Sequence, residues 1–95
     1  MTEPEHASLD VRRRRLLFRS THRGMYENDI LIGGFVRRNI AIFSDTDLAA
    51  IEDLLELPEN ALADWLTGRV PIPDDLDSPM LRRIRDEAEH HAGER

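Results

Sequence analysis

The chain has 95 residues, no cysteine and a formal net charge of −6 at pH 7. This length indicates one domain with a modest core, and the lack of cysteine excludes disulfides, thiolate catalysis and cysteine-ligated metals. No segment approaches the roughly 18 apolar residues that span a bilayer. The polar start, Met1–Asp10, has the features of neither a secretory signal nor a transit peptide. We therefore expect a cytoplasmic protein without membrane insertion.

The first predicted helix begins near Ser8, which would cap it, and runs to about Thr21. The four consecutive arginines Arg12–Arg15 wrap around more than half of this helix. One or two of them should therefore lie beside the buried stripe and extend outward along their aliphatic stems. The segment His22–Met25 then interrupts the helical pattern, and Gly24 is free to adopt a positive φ there.

The second predicted helix, about Tyr26 to Ile42, is the most apolar segment of the chain. Such a helix lies at the centre of a bundle or contacts a partner. Gly33 and Gly34 in its middle should each cost about 1 kcal/mol relative to alanine. Close approach of another helix explains them better than a hinge does. The predicted apolar stripe consists of Ile32, Phe35, Val36 and Phe43, broadened by Ile30, Leu31, Ile40 and Ile42.

Three more helices are predicted in the acidic half of the chain. Ser44 should cap the third helix, with acids near its positive dipole end. Pro58 opens the fourth and Gly68 closes it, and Ser78 caps the last after an extended connector. Their predicted buried residues are Leu48, Ile51, Leu54 and Leu55, then Leu62, Trp65 and Leu66, then Met80, Leu81, Ile84 and Ala88.

No run of residues alternates apolar and polar with period two for long enough to form a paired strand. The predicted fold class is therefore all-α, a compact five-helix bundle in a single domain. Residues 1–7 are predicted to form a disordered N-terminal extension, residues 8–90 the helical bundle, and residues 91–95 a frayed tail.

Enzymatic and metal-binding functions find little support in the sequence. There is no glycine-rich phosphate loop after a strand and no nucleophile elbow. Glu87 and His90 have the Glu-x-x-His spacing of di-iron bundles, but such sites need two of these motifs and two further glutamates. We predict no catalytic residue, no metal site and no cofactor bound by the protein itself.

A nucleic-acid role rests on the basic residues of the first helix, Arg12–Arg15, with Arg19 and Arg23 after them. Residues 1–43 hold eight arginines and five acids, for a net +3, whereas residues 44–95 hold five arginines and fourteen acids, for a net −9. In so small a domain those acids would face the same phosphates. A solvated or partner-docking basic surface is the favoured interpretation.

The most distinctive segment is Arg23–Asp29, at the predicted junction of the first two helices. Glu27 and Asp29 are explained by the helix dipole and by capping, and Gly24 by a turn. Arg23 and Met25 have no evident intramolecular reason. A planar cation and a flexible thioether beside a glycine suit the edge of a docking surface, and on physical grounds alone the structural and functional interpretations are equally supported.

The residues Leu16-Leu17-Phe18-Arg19-Ser20, followed by Arg23-Gly24-Met25-x-Glu27-x-Asp29, resemble the SdhE family, relatives of the mitochondrial succinate dehydrogenase flavinylation factor. All five fixed positions of the family pattern are present, and Asp64-Trp65-Leu66 is similar to the family's fourth-helix segment. The resemblance covers about Val11 to Asp86. The acidic extension before Ser8 departs from the family.

The resemblance implies a chaperone-like assembly factor rather than an enzyme. Family members bind the flavoprotein subunit of succinate dehydrogenase, and of fumarate reductase where present, and promote the bond between a client histidine and the 8α-methyl carbon of FAD. The resemblance further implies that Arg23, Gly24 and Met25 form the edge placed against the client, with Glu27, Asp29 and Arg19 fixing that edge or contacting the client.

Two other classes of function remain open at the level of sequence. One is a helical interaction module with a different client, such as an antitoxin-like protein. The other is a small DNA-binding regulator that uses Arg12–Arg15, for which salt-dependent duplex binding would be the signature.

Overall fold

The computed structural model describes residues 9–93, and the side chains of residues 9–89. This part of the chain contains helices and no strand, so the predicted all-α fold of five helices is confirmed. A single 3-10 turn precedes the last helix, where no element was predicted. The α-helices are α1 (Val11–Thr21), α2 (Tyr26–Asn39), α3 (Asp45–Leu54), α4 (Glu59–Leu66) and α5 (Pro79–Gly93), and the 3-10 turn is Asp74–Leu76.

The helix starts follow capping side chains. Ser44 and Asp47 form a reciprocal capping box at α3, and the Ser78 hydroxyl accepts the Leu81 N–H at the start of α5, as predicted. At α1 the cap is Asp10, whose carboxylate accepts the Arg13 N–H at 2.8 Å. The prediction of a cap at Ser8 was therefore wrong, since a carboxylate two residues later takes that place.

Two helices end at positions other than those predicted. The helix α2 ends at Asn39 rather than near Ile42, because the Asn39 side chain donates to the Phe35 carbonyl and the chain then turns, with the Ile42 N–H on the Asn39 carbonyl. The helix α5 continues to Gly93, so the tail predicted from residue 91 begins inside it. The predicted N-terminal extension, residues 1–7, lies outside the described residues.

The central helix α2 packs against α1, α4 and α5. Its predicted stripe is buried as expected, but Ile30 and Ile42 are exposed. All the residues predicted to be buried in α3 and α4 are buried as well, Trp65 among them, and in α5 the only one that is not is half-buried Ala88. The fully covered side chains of the core include Leu16, Ile32, Phe35, Val36, Ile40, Leu48, Ile51, Leu62, Leu66, Leu81 and Ile84.

The two adjacent glycines of α2 have different surroundings. A Cβ placed on Gly33 would lie 2.9 Å from the Ser20 carbonyl oxygen and 2.9 Å from the Thr21 methyl carbon, which is too close for any real side chain. A Cβ placed on Gly34 would meet only the guanidinium end of the exposed Arg38 side chain, with the Nη1 atom at 3.1 Å. The predicted close helix–helix approach is therefore confirmed for Gly33 alone, and it brings α2 against the end of α1.

We expect Gly33→Ala to destabilise the protein by about 1–3 kcal/mol, because the added methyl group must push the backbone of α1 away. Gly34→Ala is the matched control and should be neutral or stabilising by up to about 1 kcal/mol, because alanine favours the helix. Urea unfolding of both variants measures the difference. Equal stabilities would contradict the close approach at Gly33.

Candidate functional site

The turn between α1 and α2 places Gly24 at an exposed tip. Its φ is +91°, in the region that L side chains rarely adopt, and a Cβ there would meet no atom within 4 Å. Met25, the next residue, is half-buried and precedes α2 as its N-cap residue without a capping side chain. The predicted positive φ is confirmed, and the tip is open to the surroundings on the side where a Cβ would point.

Asp29 closes this turn onto the first turn of α2. Its carboxylate accepts the Arg23 backbone N–H at 2.8 Å, while its own N–H donates to the Met25 carbonyl at 2.9 Å. The conformation around Gly24 is thus held by hydrogen bonds at both of its ends. Asp29 acts here on the backbone of the turn, which is the fixing role that the resemblance implied for it.

Arg23 points into the bundle. Its side chain is only 8% exposed, its Nη2 atom donates to the Leu55 carbonyl at 3.0 Å and lies 2.6 Å from a Glu59 carboxylate oxygen. The expectation that Arg23 lacks an intramolecular partner and faces outward was therefore wrong. Leu55, just after α3, supplies the carbonyl, and Glu59, the first residue of α4, supplies the carboxylate, a pairing that the sequence does not reveal.

Asn28 joins the same network from the buried side of α2. Its side-chain amide donates to the Glu59 carbonyl at 3.0 Å and to the Glu59 carboxylate at 2.8 Å, and the residue is fully buried. Sequence reasoning missed Asn28 and Glu59. A signal was present, because Asn28 stands four residues before Ile32 and seven before Phe35, on the stripe that enters the core.

Two polar atoms in this network have no hydrogen-bond partner among the described residues, the Arg23 Nε atom and the Asn28 Oδ1 atom, and both are buried. Such atoms cost about 1–3 kcal/mol each in desolvation. These two unpaired atoms therefore offset part of the stability that the hydrogen bonds of the network provide. It fixes the Gly24 turn against the start of α4.

The remaining predicted site residues lie on either flank of the turn. Glu27 approaches Arg69 at 3.6 Å, and Arg69 also bonds Asp64 at 3.0 Å. The Asp64 hydrogen bond and then the Glu27 charge raise the pKa of Arg69. Arg19 is exposed and pairs with Glu56 at 2.9 Å, across the gap to the end of α3. Both predicted site residues are thus engaged in exposed ion pairs.

Some of the four consecutive arginines at the start of α1 bind acceptors within the bundle. The Arg12 guanidinium donates two hydrogen bonds, of 2.9 and 2.8 Å, to the Glu52 carboxylate, and these bonds lower the pKa of Glu52. Arg13 bonds the carbonyls of Ile40 and Phe43, and its side chain is largely covered. The prediction that one or two of these arginines lie beside the buried stripe is confirmed by Arg13.

Within residues 9–89, no three side chains of His, Asp or Glu are arranged so that they could hold a metal ion. Glu87 of the Glu-x-x-His pair accepts hydrogen bonds from Arg38 and Asn39, and the His90 side chain lies outside the described residues. None of the described helices is long and apolar enough to cross a membrane.

The geometry therefore divides the six predicted residues into three pairs. Gly24 and Met25 form the accessible edge, and Arg23 with Asp29 supports it from behind. Glu27 and Arg19 flank the edge through ion pairs with other helices. The arrangement is suited to presenting a fixed turn to another molecule.

A family model described as "Flavinator of succinate dehydrogenase" matches residues 14–88. The chain is 46% identical over 86 residues to the FAD assembly factor SdhE of Acetobacter pasteurianus, covering 90% of this chain and 79% of that protein. It is 40% identical over 79 residues to the FAD assembly factor SdhE of Ralstonia nicotianae, covering 83% and 82% of the two chains.

The mitochondrial succinate dehydrogenase assembly factor 2 of Dictyostelium discoideum is more distant. It is 29% identical over 87 residues, which are 92% of this chain but only 59% of that protein. No solved structure matches the chain. The similarity to the two bacterial proteins spans the Gly24 turn and the helices on both sides of it.

Proposed function

Because the chain belongs to the family of succinate dehydrogenase flavinators, we propose that it binds the flavoprotein subunit of succinate dehydrogenase and promotes covalent attachment of FAD to it. The observation that carries this proposal is the family match over residues 14–88, which includes the complete Arg-Gly-Met-x-Glu-x-Asp pattern. The assignment as an assembly factor also accounts for a site with an exposed, braced turn.

In this proposal the protein contributes binding and positioning, and it is not itself an enzyme. The chemistry would belong to the client's FAD: its 8α-methyl group loses a proton, a client histidine nitrogen bonds to that carbon and loses its own proton, and the two electrons released stay in the flavin ring, which becomes reduced. The Gly24–Met25 edge contacts the client, and Arg23 and Asp29 keep that edge in one conformation through the contacts described above. Holding the client in one geometry raises the fraction of molecules in which histidine and flavin are aligned.

Several finer features belong to the same proposal. The protein binds no cofactor of its own, acts in the cytoplasm, and serves the flavoprotein of fumarate reductase as a second client. The tip is free of any Cβ, so that the client backbone can approach closely at Gly24. Since an assembly factor must leave before the mature enzyme assembles, its affinity for the client should be moderate.

The test is covalent flavin on the purified succinate dehydrogenase flavoprotein, read by in-gel fluorescence after incubation with FAD, with and without the complete chain. We expect fluorescence to rise at least severalfold when the factor is present. Equal fluorescence in both samples would overturn the proposal. Stoichiometric flavin on the factor alone would point to an enzyme, and recovery of a toxin without the flavoprotein in a pull-down would point to an antitoxin-like module.

A further inference from the structure

The exposed face formed by α1 and α2 is apolar to a degree unusual for an acidic protein. Phe18 is 63% exposed, Tyr26 81% and Ile30 53%. Tyr26 and Ile30 lie one turn apart on α2, and Phe18 stacks on the exposed His22 ring with centroids 4.1 Å apart. Phe18 precedes the Gly24 turn and Tyr26 and Ile30 follow it, so that exposed apolar side chains lie on both sides of the candidate edge along the chain.

Between the two helices lies a groove of about 320 Å³, large enough for one or two apolar side chains. Its walls are apolar near the centre, and a guanidinium group stands on either helix, from Arg14 on α1 and Arg37 on α2. The lining residues are Leu9, Arg14, Leu17, Phe18, Thr21, His22 and Arg37.

The charges on this face are unbalanced within the molecule. Among the described arginines, all but three have a carboxylate oxygen within 4.0 Å. The three exceptions are Arg14, Arg15 and Arg37. Arg14 donates only to the Leu9 carbonyl, and Arg14 and Arg37 both line the groove. Arg15 instead lines a separate cavity, with Arg12, Arg19 and Glu52. A chain with a net charge of −6 therefore leaves two of its three uncompensated arginines at the groove.

Resting on the proposed function, we propose that this face, defined by Phe18, Ile30, Arg14 and Arg37, is the second half of the client-docking surface. It takes an apolar side chain of the flavoprotein that is flanked by carboxylates. Buried apolar anchors with a polar rim are the usual anatomy of such interfaces. Arginine is well suited to the rim because it binds carboxylates in bidentate fashion.

A protein partner fits this face better than a nucleic acid does. Exposed aliphatic and aromatic side chains occupy the middle of the face, where a phosphate backbone would need cations. Only two guanidinium groups line the groove, and the adjacent Arg12 and Arg13 are paired with carboxylates. An apolar side chain of the partner would fill the groove, and carboxylates around it would pair with the arginines at the rim.

The test measures the affinity of the complete chain for the purified, FAD-free flavoprotein subunit of succinate dehydrogenase by biolayer interferometry. We expect Phe18→Ser and Arg37→Glu each to weaken binding about ten- to thirtyfold. The loss for Arg37→Glu should shrink between about 50 and 300 mM salt, since rim charges are screened. Circular dichroism confirms that each variant is folded.

Two control variants carry the same chemical changes on other faces. Ile42→Ser removes an apolar side chain that is 76% exposed in the turn after α2, and Arg82→Glu reverses an exposed charge on α5. Both should bind the client within about twofold of the original chain. Losses in these controls as large as those on the α1–α2 face would overturn the inference.

The outcomes separate this inference from the proposed function. If the unaltered chain neither binds the flavoprotein nor raises its covalent flavin, the proposed function fails and the inference with it. If the unaltered chain is active and Phe18→Ser and Arg37→Glu bind normally, only the inference is overturned. A dimer in sedimentation that Phe18→Ser dissolves, or duplex DNA binding that Arg37→Glu abolishes, would likewise overturn it by assigning the face to another occupant.

Discussion

Replacing Gly24 with arginine is expected to reduce covalent flavin on the succinate dehydrogenase flavoprotein to the level seen without the factor. Gly24 stands at the tip of the braced turn, where a Cβ would meet nothing in the protein itself. A long cationic side chain at this point would therefore clash with the client and not with the bundle. In-gel flavin fluorescence in cells that carry only the variant measures the loss.

Gly68→Arg is the matched control for this substitution. Gly68 also has a positive φ, +80°, and a Cβ there would likewise meet no atom within 4 Å. Both variants should lose about 1–2 kcal/mol of stability from backbone strain, because arginine is forced into a left-handed conformation. Normal flavinylation by Gly24→Arg, or an equal loss with Gly68→Arg, would contradict the placement of the client at Gly24.

The second large effect is expected for Arg23→Ala, which should destabilise the protein by about 3 kcal/mol. The substitution removes a largely buried cation and leaves the Leu55 carbonyl and part of the Glu59 carboxylate without their donor. For a domain of this size, such a loss lowers Tm by more than about 10 °C. Thermal unfolding followed by circular dichroism gives the value directly.

Arg19→Ala is the companion measurement, because Arg19 belongs to the same predicted site but is exposed. Its ion pair with Glu56 lies in water, with side-chain exposures of 45% and 75%. Its removal should change stability by less than about 0.5 kcal/mol. A Tm that falls equally in both variants would show that Arg23 is no more structural than a surface arginine.

Much of the fold could be predicted because its signals are local. The cap at Ser44, the opening at Pro58 and the stripe through Ile32 and Phe35 depend on residues within one or two helical turns. The 3-10 turn at Asp74–Leu76 was missed, since three residues carry no periodicity. The choice of Asp10 over Ser8 was missed because both residues can cap a helix.

The site was harder to predict because its contacts join distant parts of the chain. The motif predicted a site at the turn, and the positive φ of Gly24 followed from glycine itself. The burial of Arg23 depends on Glu59, which is 36 positions away in the sequence. Asn28 was overlooked because it stands between two acidic residues in the polar first turn of α2, and its partner is likewise on α4.

The helix α1 is fixed on two sides at once. Arg12 binds Glu52 on α3 and Arg19 binds Glu56 in the turn that follows it, while Gly33 of α2 lies directly against Ser20 and Thr21. The turn after α1 therefore starts from a helix that has little freedom to move. Docking on a client would consequently cost this protein little conformational entropy. If the protein acts on the flavoprotein as proposed, a bundle that changes shape little leaves the free-energy difference between the bound and released states to the client. We therefore expect release to follow a change of shape in the flavoprotein once its flavin is attached.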